Sequence, residues 1–463
     1  MDMINKKIAI LGLGQENIAL VRYLIKIGAN NICICDKKAK DEFTNIDDIK
    51  NAVSKWQSGS DYLSNLQDFD LIFRTPGLHY LSPEIQSAKN AGAEISSQTK
   101  LFFDLCPAKI IGVTGTKGKG TTSTLIYDIL NHDPVKSDDH GASNGQQIYL
   151  AGNIGKAPIE FINELKSEDI VVLELSSFQL QDMEKSPQIS VVLNVTEDHL
   201  DVHHNRAEYI EAKKNIVRHQ TKSDFSVINA DYMTSIEFAL ETKAQVFWFS
   251  RQKSIDQGVW VKNKSEIVLQ TNSVEQKIID VKDIVLRGEH NWENICAAAL
   301  ASYLAGAQIN VIAQTIKEFK GLEHRLELVR ELNGVKFYND SFSTNPDTTI
   351  AAIKSFTEPI ILIVGGSEKN ADYQAVGREL SKSSVKTVIA IGVTGPRIVT
   401  QITSPDIEII SDCKNIEEVV KTAFEKAKPG DIVLLSPASA SFGWFANYKE
   451  RGQKFKEQVN SLK

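Results

Sequence analysis

Three times along the chain an apolar, β-branched run stops at a polar or glycine-containing turn and gives way to a helical period, and this recurrence restricts the fold more than any other feature. Ile8–Leu11 enters the turn Gly12-Leu13-Gly14, followed by a helix through about Ile27, a strand over Ile32–Cys35 and then Asp36. A second opening begins at Lys109 and reads IIGVTGTKGKGTTSTLI; a third gives VKFYNDS, a helical stretch and IILIVGG within 335–366. Strand, turn, helix and strand in that order make parallel sheets covered by helices, so the expected class is α/β. A chain of 463 residues exceeds what one hydrophobic core supports. Three domains are expected: a Rossmann-like N-terminal domain over 1–104, a central P-loop domain with a parallel sheet over 105–321, and a C-terminal Rossmann-like domain over 322–463. Residues 244–286 are poorer in helix signals and predict a small antiparallel patch, and the polar stretch 132–147 predicts a mobile surface loop.

Composition removes several function classes. No apolar stretch approaches the roughly 20 residues of a membrane helix, so membrane insertion is not expected. The opening MDMINKKIAILGLG runs into a strand without a signal-peptide pattern, which predicts a cytoplasmic location. A net charge of −7 provides no basic footprint for nucleic acid. Five scattered cysteines make no disulfide framework; Cys33 and Cys35 lie within a strand-like run and read as buried free thiols.

The second opening carries the most specific chemistry. Gly115-Thr116-Lys117-Gly118-Lys119 stands between a strand and a helix, where backbone N–H groups and the helix N-terminus surround phosphate oxygens and Lys119 reaches the β- and γ-phosphates. The position after the lysine, usually Ser or Thr for Mg²⁺, is Gly120. Thr121 comes one residue late on a helix that turns about 100° per residue, so water is expected in that coordination position. Glu174 ends the strand DIVVLE, and Glu197, Asp198, His199, Asp201 and His203 follow the strand SVVLNVT. A lone Glu at a strand end is more often a solvated turn, and a His beside an Asp more often a structural hydrogen bond. Their joint placement after strands near a phosphate loop favours a divalent metal site. Tyr209 and Lys213 share one face of the next helix, read as an exposed face, and the pattern fits an ordinary amphipathic pair equally well.

These segments resemble the Mur ligases. The likeness runs through GVTGTKGKGTTS, Gly152-Asn153-Ile154-Gly155, ELSSFQL, NVTEDHLD and YIEAK, then Gly288–Asn294, His324-Arg325-Leu326-Glu327, Asn339-Asp340-Ser341 and SPASASFGWFANYKERG. ELSSFQL and the SPASAS tail resemble the glutamate-adding members in particular. The resemblance implies ATP-dependent addition of D-glutamate to UDP-N-acetylmuramoyl-L-alanine through an acyl phosphate, with ATP and Mg²⁺ as cofactors and small molecules as the only partners of a monomer. It implies that Glu174, His199 and a carbamylated Lys213 bind Mg²⁺, with Thr121 a weaker ligand. Gly115 to Thr121, Asn291, Asn294, Arg325 and Asp340 would hold ATP. Asn153 and Gln179 would contact the muramoyl substrate; Thr344, Lys369, Ser441, Phe442 and Tyr448 would meet glutamate. Since ATP and glutamate would be held by different domains, domain closure is expected.

The first domain would take the UDP part, with Gly14, Gln15, Asp36 and Thr75 in the turns after its strands. Its GLGQEN turn has Asn17 where a dinucleotide fold wants a third glycine, and NAD is the competing ligand there. Two positions depart from the family pattern: Phe342 replaces the usual lysine after Asp-Ser, and Glu368 enters the Gly365-Gly366-Ser367-Glu368-Lys369 turn. A similar branch that adds L-glutamate also departs at that lysine, so L-glutamate is the alternative substrate. From other classes, a P-loop switch or assembly ATPase would leave ELSSFQL, YIEAK and the third domain idle, and a nicotinamide-dependent dehydrogenase would rest on the first domain alone.

Overall fold

The computed structural model describes residues 3–53, 55–132, 145–196, 205–368 and 371–463. His199, Lys369 and most of the polar stretch 132–147 lie outside the described residues. The first sheet contains β1 (Ile8–Leu11), β2 (Ile32–Asp36), β3 (Lys55–Ser58), β4 (Leu71–Arg74) and β5 (Glu94–Ser96), all parallel, in the order β3-β2-β1-β4-β5. The chain winds outward from β1 and returns to its other side with β4. The crevice at the carboxyl ends of β1 and β4 is therefore the topological switch point, where open α/β sheets take ligands.

The second sheet has nine strands in the order β14-β13-β12-β11-β10-β9-β6-β8-β7. They are β6 (Lys109–Thr114), β7 (Ile148–Gly152), β8 (Ile170–Glu174), β9 (Ile189–Val192), β10 (Phe225–Asn229), β11 (Gln245–Ser250), β12 (Gly258–Lys262), β13 (Glu266–Thr271) and β14 (Val274–Asp280). Strand β6 lies between β8 and β9, with Val113 opposite both Glu174 and Val191. The predicted antiparallel patch holds for β12, β13 and β14, whereas β11 continues the parallel sheet beside β10. Strand β12 also pairs in parallel with β11. The approach is so close that a Cβ on Gly258 would stand 1.7 Å from the Trp248 carbonyl oxygen, and only glycine fits.

The third sheet, in the order β15-β16-β20-β17-β18-β19, comprises β15 (Glu327–Leu332), β16 (Val335–Asn339), β17 (Ile360–Gly366), β18 (Val385–Gly392), β19 (Glu408–Ile410) and β20 (Ile432–Leu435). Only the β15–β16 pair is antiparallel. The chain separates into two compact units: Met1–Val281 with Glu293–Ile316, and Lys282–Trp292 with Lys317–Lys463. The first two sheets share the first unit and the third sheet belongs to the second. Cys33, Cys35 and Cys296 are buried free thiols, while Cys106 and Cys413 are half-buried. Among the described residues no helix is long and apolar enough to cross a membrane.

Within the first unit one apolar cluster runs from β1 and β4 through the helix Gln98–Leu105 to β8. Phe102 meets Phe161 edge-on at 6.2 Å, and Phe161 stacks on Tyr149 at 4.8 Å. A charge pair is enclosed in the same unit. Arg74, the last residue of β4, donates to Asp182 Oδ1 at 2.5 Å and to the Phe178 carbonyl at 2.9 Å, and both side chains are almost fully buried. Removing one partner of such a pair leaves an uncompensated buried charge, which costs about 3–5 kcal/mol. Arg74→Ala should therefore lower the thermal unfolding temperature sharply, while Arg74→Met combined with Asp182→Leu should recover most of the loss. Calorimetry of the three proteins checks both expectations.

Candidate active site

At the end of β6 the chain leaves the sheet through Gly115 and re-enters a helix at Lys119–Asn131. The loop is braced by the segment after β9: Thr116 N–H donates to the Asn194 carbonyl at 2.7 Å, Lys117 N–H to Asn194 Oδ1 at 3.2 Å, and Thr196 N–H to Thr116 Oγ1 at 2.9 Å. Two glycines are required by space. A Cβ on Gly115 would stand 2.6 Å from Leu193 Cβ, and one on Gly118, whose φ is +86°, would stand 2.1 Å from Asn294 Oδ1. Gly120 and Thr121 are buried in the first helical turn. Lys119 curls back so that its Nζ donates to the carbonyls of Gly115 and Thr116, each at 3.0 Å.

Lys213 arrives at the same carbonyl from the helix Arg206–Arg218. Its Nζ donates to Gly115 O at 3.1 Å and to Thr114 Oγ1 at 3.2 Å, and stands 4.7 Å from the centre of the Tyr209 ring. The expectation that Lys213 occupies an exposed face is overturned, since it is almost completely buried. The reason is packing: Tyr209, Ala212, Lys213 and Ile216 form the face the helix buries, and the neighbouring Lys214 takes the outward position, paired with Glu211 and Glu241. Tyr209 OH in turn meets Thr116 Oγ1 at 3.1 Å.

Glu174, the last residue of β8, is buried one strand away from the loop. Asn153 donates its backbone N–H to the Glu174 carbonyl at 2.9 Å and its Nδ2 to Glu174 Oε1 at 3.2 Å. This approach needs Gly152, whose φ is +101° and whose Cβ would stand 2.3 Å from that carbonyl. The structure thus gathers Thr116, Lys119, Lys213 and Asn294 around the loop at Gly115, with Glu174 and Asn153 together at the end of the adjacent strand.

At the switch point of the first sheet, Asp36 turns inward: Oδ2 accepts from Leu13 N–H at 2.7 Å and Oδ1 from Lys38 N–H at 2.9 Å. A Cβ on Gly12 would strike Thr75 Cγ2 at 2.8 Å, and Thr75 N–H donates to the Leu11 carbonyl at 2.9 Å. Asn17 has a use that explains the missing third glycine, since its buried Nδ2 donates to the Gly12 carbonyl at 2.7 Å and ties the turn to the helix. Gly14 and Gln15 open that helix and are exposed. Gln179 is buried, with Oε1 accepting from Ser176 N–H at 2.9 Å and Nε2 donating to Glu16 Oε1 at 2.8 Å. Pattern reading passed over Glu16; burial, opposed by Gln179 and Arg74, pushes its carboxyl up to about 7.

In the second unit, Asn291 donates from Nδ2 to the Arg287 carbonyl at 2.6 Å. Asp340 is buried at the end of β16, where its carboxylate accepts from Ser436 Oγ at 2.8 Å, from Ser343 Oγ, and from Leu326 N–H at 3.2 Å. Burial, partly offset by these donors and by Arg325, pushes its carboxyl up to about 7. Thr344 N–H donates to the Phe342 carbonyl at 2.8 Å. Glu368 pairs with Arg397. Beside Gly365, Gly366 and Gly392 a cavity of about 270 Å³ opens, reaching Ser441, Phe442 and Arg451. In the sequence Arg451 appears only as part of the SPASASFGWFANYKERG tail, with no role of its own. It is fully buried, donates to Ser341 Oγ, Ser341 O and Ser439 O at 2.9–3.1 Å, and burial pulls it down to about 10.

Comparison with known proteins fits this geometry. The Mur ligase MurD-like N-terminal domain matches residues 6–97, the Mur ligase middle domain 113–302, and the Mur ligase glutamate ligase domain 324–439. A UDP-N-acetylmuramoylalanine–D-glutamate ligase from Acetivibrio thermocellus is 44% identical over 99% of this chain and 97% of its own. The chain belongs to the Mur ligase family. A ligase of the same name from Ruminiclostridium cellulolyticum is 41% identical over 100% of this chain and 98% of its own. Among solved structures, UDP-N-acetylmuramate-alanine ligase MurC from Thermotoga maritima aligns with a TM-score of 0.59 at 18% identity, covering 99% of this chain and 100% of its own. MurF ligase from Thermotoga maritima, in complex with ADP, aligns at 0.57 and 17% identity, covering 99% of each chain. These likenesses show the three-domain Mur ligase fold. This Mur ligase is an ATP-dependent ligase of peptidoglycan precursor synthesis.

Two outcomes follow from the geometry. Gly118→Ala puts a Cβ into Asn294 at a left-handed φ, so ATP affinity measured by calorimetry should fall about tenfold or more with the rest of the fold retained. For Glu16, a folded-state value of about 7 against the ordinary 4.5 means the folded chain holds the proton more tightly. That contribution to stability is complete below pH 4.5 and is lost as pH rises through about 7. Glu16→Gln keeps an acceptor for Gln179 without the charge, and its melting temperature should fall less than the parent's between pH 5 and pH 8.

Proposed function

We propose that the chain joins D-glutamate to UDP-N-acetylmuramoyl-L-alanine at the expense of ATP, as a cytoplasmic monomer. The observation that supports it most is the convergence of Lys119 and Lys213 on the Gly115 carbonyl beside Glu174, in a chain 44% identical to a ligase of that specificity. In this reading residues 1–104 take the UDP part through Gly14, Gln15, Asp36 and Thr75, residues 105–321 take ATP, and residues 322–463 take glutamate.

A carboxylate is a poor acyl donor, so the muramoyl carboxylate first attacks the γ-phosphorus and becomes an acyl phosphate as ADP departs. The glutamate amine then attacks that carbonyl, loses a proton, and the tetrahedral intermediate expels phosphate. Backbone N–H groups at the start of the Lys119–Asn131 helix cradle the phosphates, the glycines of the 115–121 loop allow their close approach, and Lys119 turns from its own loop to the β- and γ-oxygens. Asn153 and Gln179 orient the muramoyl group, Gln179 exchanging Glu16 for substrate. In the second unit, Asn291, Arg325 and Asp340 are nucleotide ligands, and Thr344, Lys369, Ser441, Phe442 and Tyr448 are glutamate ligands.

The donor set fits Mg²⁺ on one condition. Glu174 is a hard oxygen ligand, but Lys213 as an ammonium only donates and would repel a cation; as a carbamate it offers anionic oxygen instead. Glu174, His199, carbamylated Lys213 and, more weakly, Thr121 would then hold Mg²⁺, which neutralises charge on the phosphoryl oxygens when bound. L-Glutamate is the second reading, favoured by Phe342 where the family pattern has lysine.

One assay tests the reading. ADP release by the purified protein should require both UDP-N-acetylmuramoyl-L-alanine and glutamate, run faster with D- than L-glutamate, and fall about a hundredfold or more in Lys213→Ala. ADP release independent of glutamate would sink it.

A further inference from the structure

Phe342 is an apolar side chain left 37% exposed. Its surroundings are specific. The Arg325 guanidinium carbon stands 3.8 Å from the centre of its ring, and the Tyr448 ring meets it edge-on with centroids 5.0 Å apart at 88°. The backbone fixes both neighbours. Arg325 lies between His324 and Leu326, both left-handed at φ +65° and +46°, a turn that L side chains rarely adopt and that must be held from outside. The 339–344 segment holds it: Phe342 N–H donates to the His324 carbonyl at 3.0 Å, and Leu326 N–H donates to Asp340. Tyr448 is tied to the same segment by Ser341 Oγ, which donates to its carbonyl at 2.8 Å.

We propose that Phe342 is a positioning residue for the ligation, its ring seating the Arg325 guanidinium and the Tyr448 ring together, so that a nucleotide ligand and a glutamate ligand are aligned by one side chain. The inference rests on the roles proposed above for Arg325 and Tyr448. A stack engages the face of the guanidinium and not its in-plane N–H groups, so the ring orients Arg325 without hydrogen-bonding to it. The lysine of the family pattern has no π-face, so seating Arg325 by a stack is a consequence of the aromatic that this chain carries.

The test is steady-state ligation by the full chain, with KM and kcat measured separately for ATP and for glutamate. Phe342→Leu keeps apolar bulk but loses the π-face; it should raise both KM values about fivefold with kcat little changed and melting within a few degrees of the parent. Phe342→Trp, which keeps a π-face, should leave both KM values near the parent's. A merely structural role would move melting without this split, and would not separate tryptophan from leucine. Unchanged KM values in Phe342→Leu, alongside a raised ATP KM in Arg325→Ala and a raised glutamate KM in Tyr448→Ala, would overturn the proposal alone. Unchanged KM values in Arg325→Ala and Tyr448→Ala would overturn the roles of those residues and the proposal with them.

Discussion

The Gly115 carbonyl oxygen accepts from two lysines, Lys119 and Lys213, at 3.0 and 3.1 Å. Two ammonium groups around one neutral oxygen repel each other, most strongly where water is excluded. Such a place favours negative charge, whether it comes from phosphate oxygens or from conversion of one lysine to a carbamate. The rest of the first unit holds this arrangement open. Gly115 leaves room for Leu193, Gly118 for Asn294 and Gly152 for the Glu174 carbonyl, so the loop takes its shape from backbone packed against neighbours at distances only glycine tolerates.

The same unit joins its two sheets with buried polar contacts as well as aromatic ones. Arg74 and Asp182 bring opposite charges together out of water, and Glu16 meets Gln179 close by. A buried ion pair adds less stability than apolar residues of the same volume, yet it penalises any arrangement in which its partners are apart. It fixes the first sheet's switch point relative to ELSSFQL, the segment in which substrate and metal contacts are proposed. Glu16, raised by burial, makes that junction sensitive to pH near neutrality.

In the second unit Asp340 plays the organising part. Its carboxylate gathers Ser343, Ser436 and Leu326, and it stands at the end of the strand from which Ser341 reaches Arg451 and Tyr448. Phe342 lies within this network, which is how a single departure from the family pattern comes to touch both Arg325 and Tyr448.

The sequence by itself determined the α/β class, the positions of the three strand–turn–helix openings, the glycine-containing loop between β6 and its helix, and the family, because these depend on local periodicity and on residues adjacent in the chain. The placement of Glu174 at a strand end and of the Gly115–Thr121 segment between strand and helix was legible for that reason. What only the tertiary structure decided depends on residues far apart in sequence. Lys213 and Lys214 are neighbours of one type, and only packing against β6 makes the first almost fully buried while the second stays half-buried in ion pairs with Glu211 and Glu241. Asn17 looked like a lost glycine until its amide was found holding the Gly12 carbonyl. Arg74 and Asp182 are ordinary charges to any pattern, and the tail motif that contains Arg451 does not mark it as buried, since burial is a property of what folds over a side chain. Asn291 and Asn294 lie on one helix, yet they belong to different compact units, a division that no helical period records.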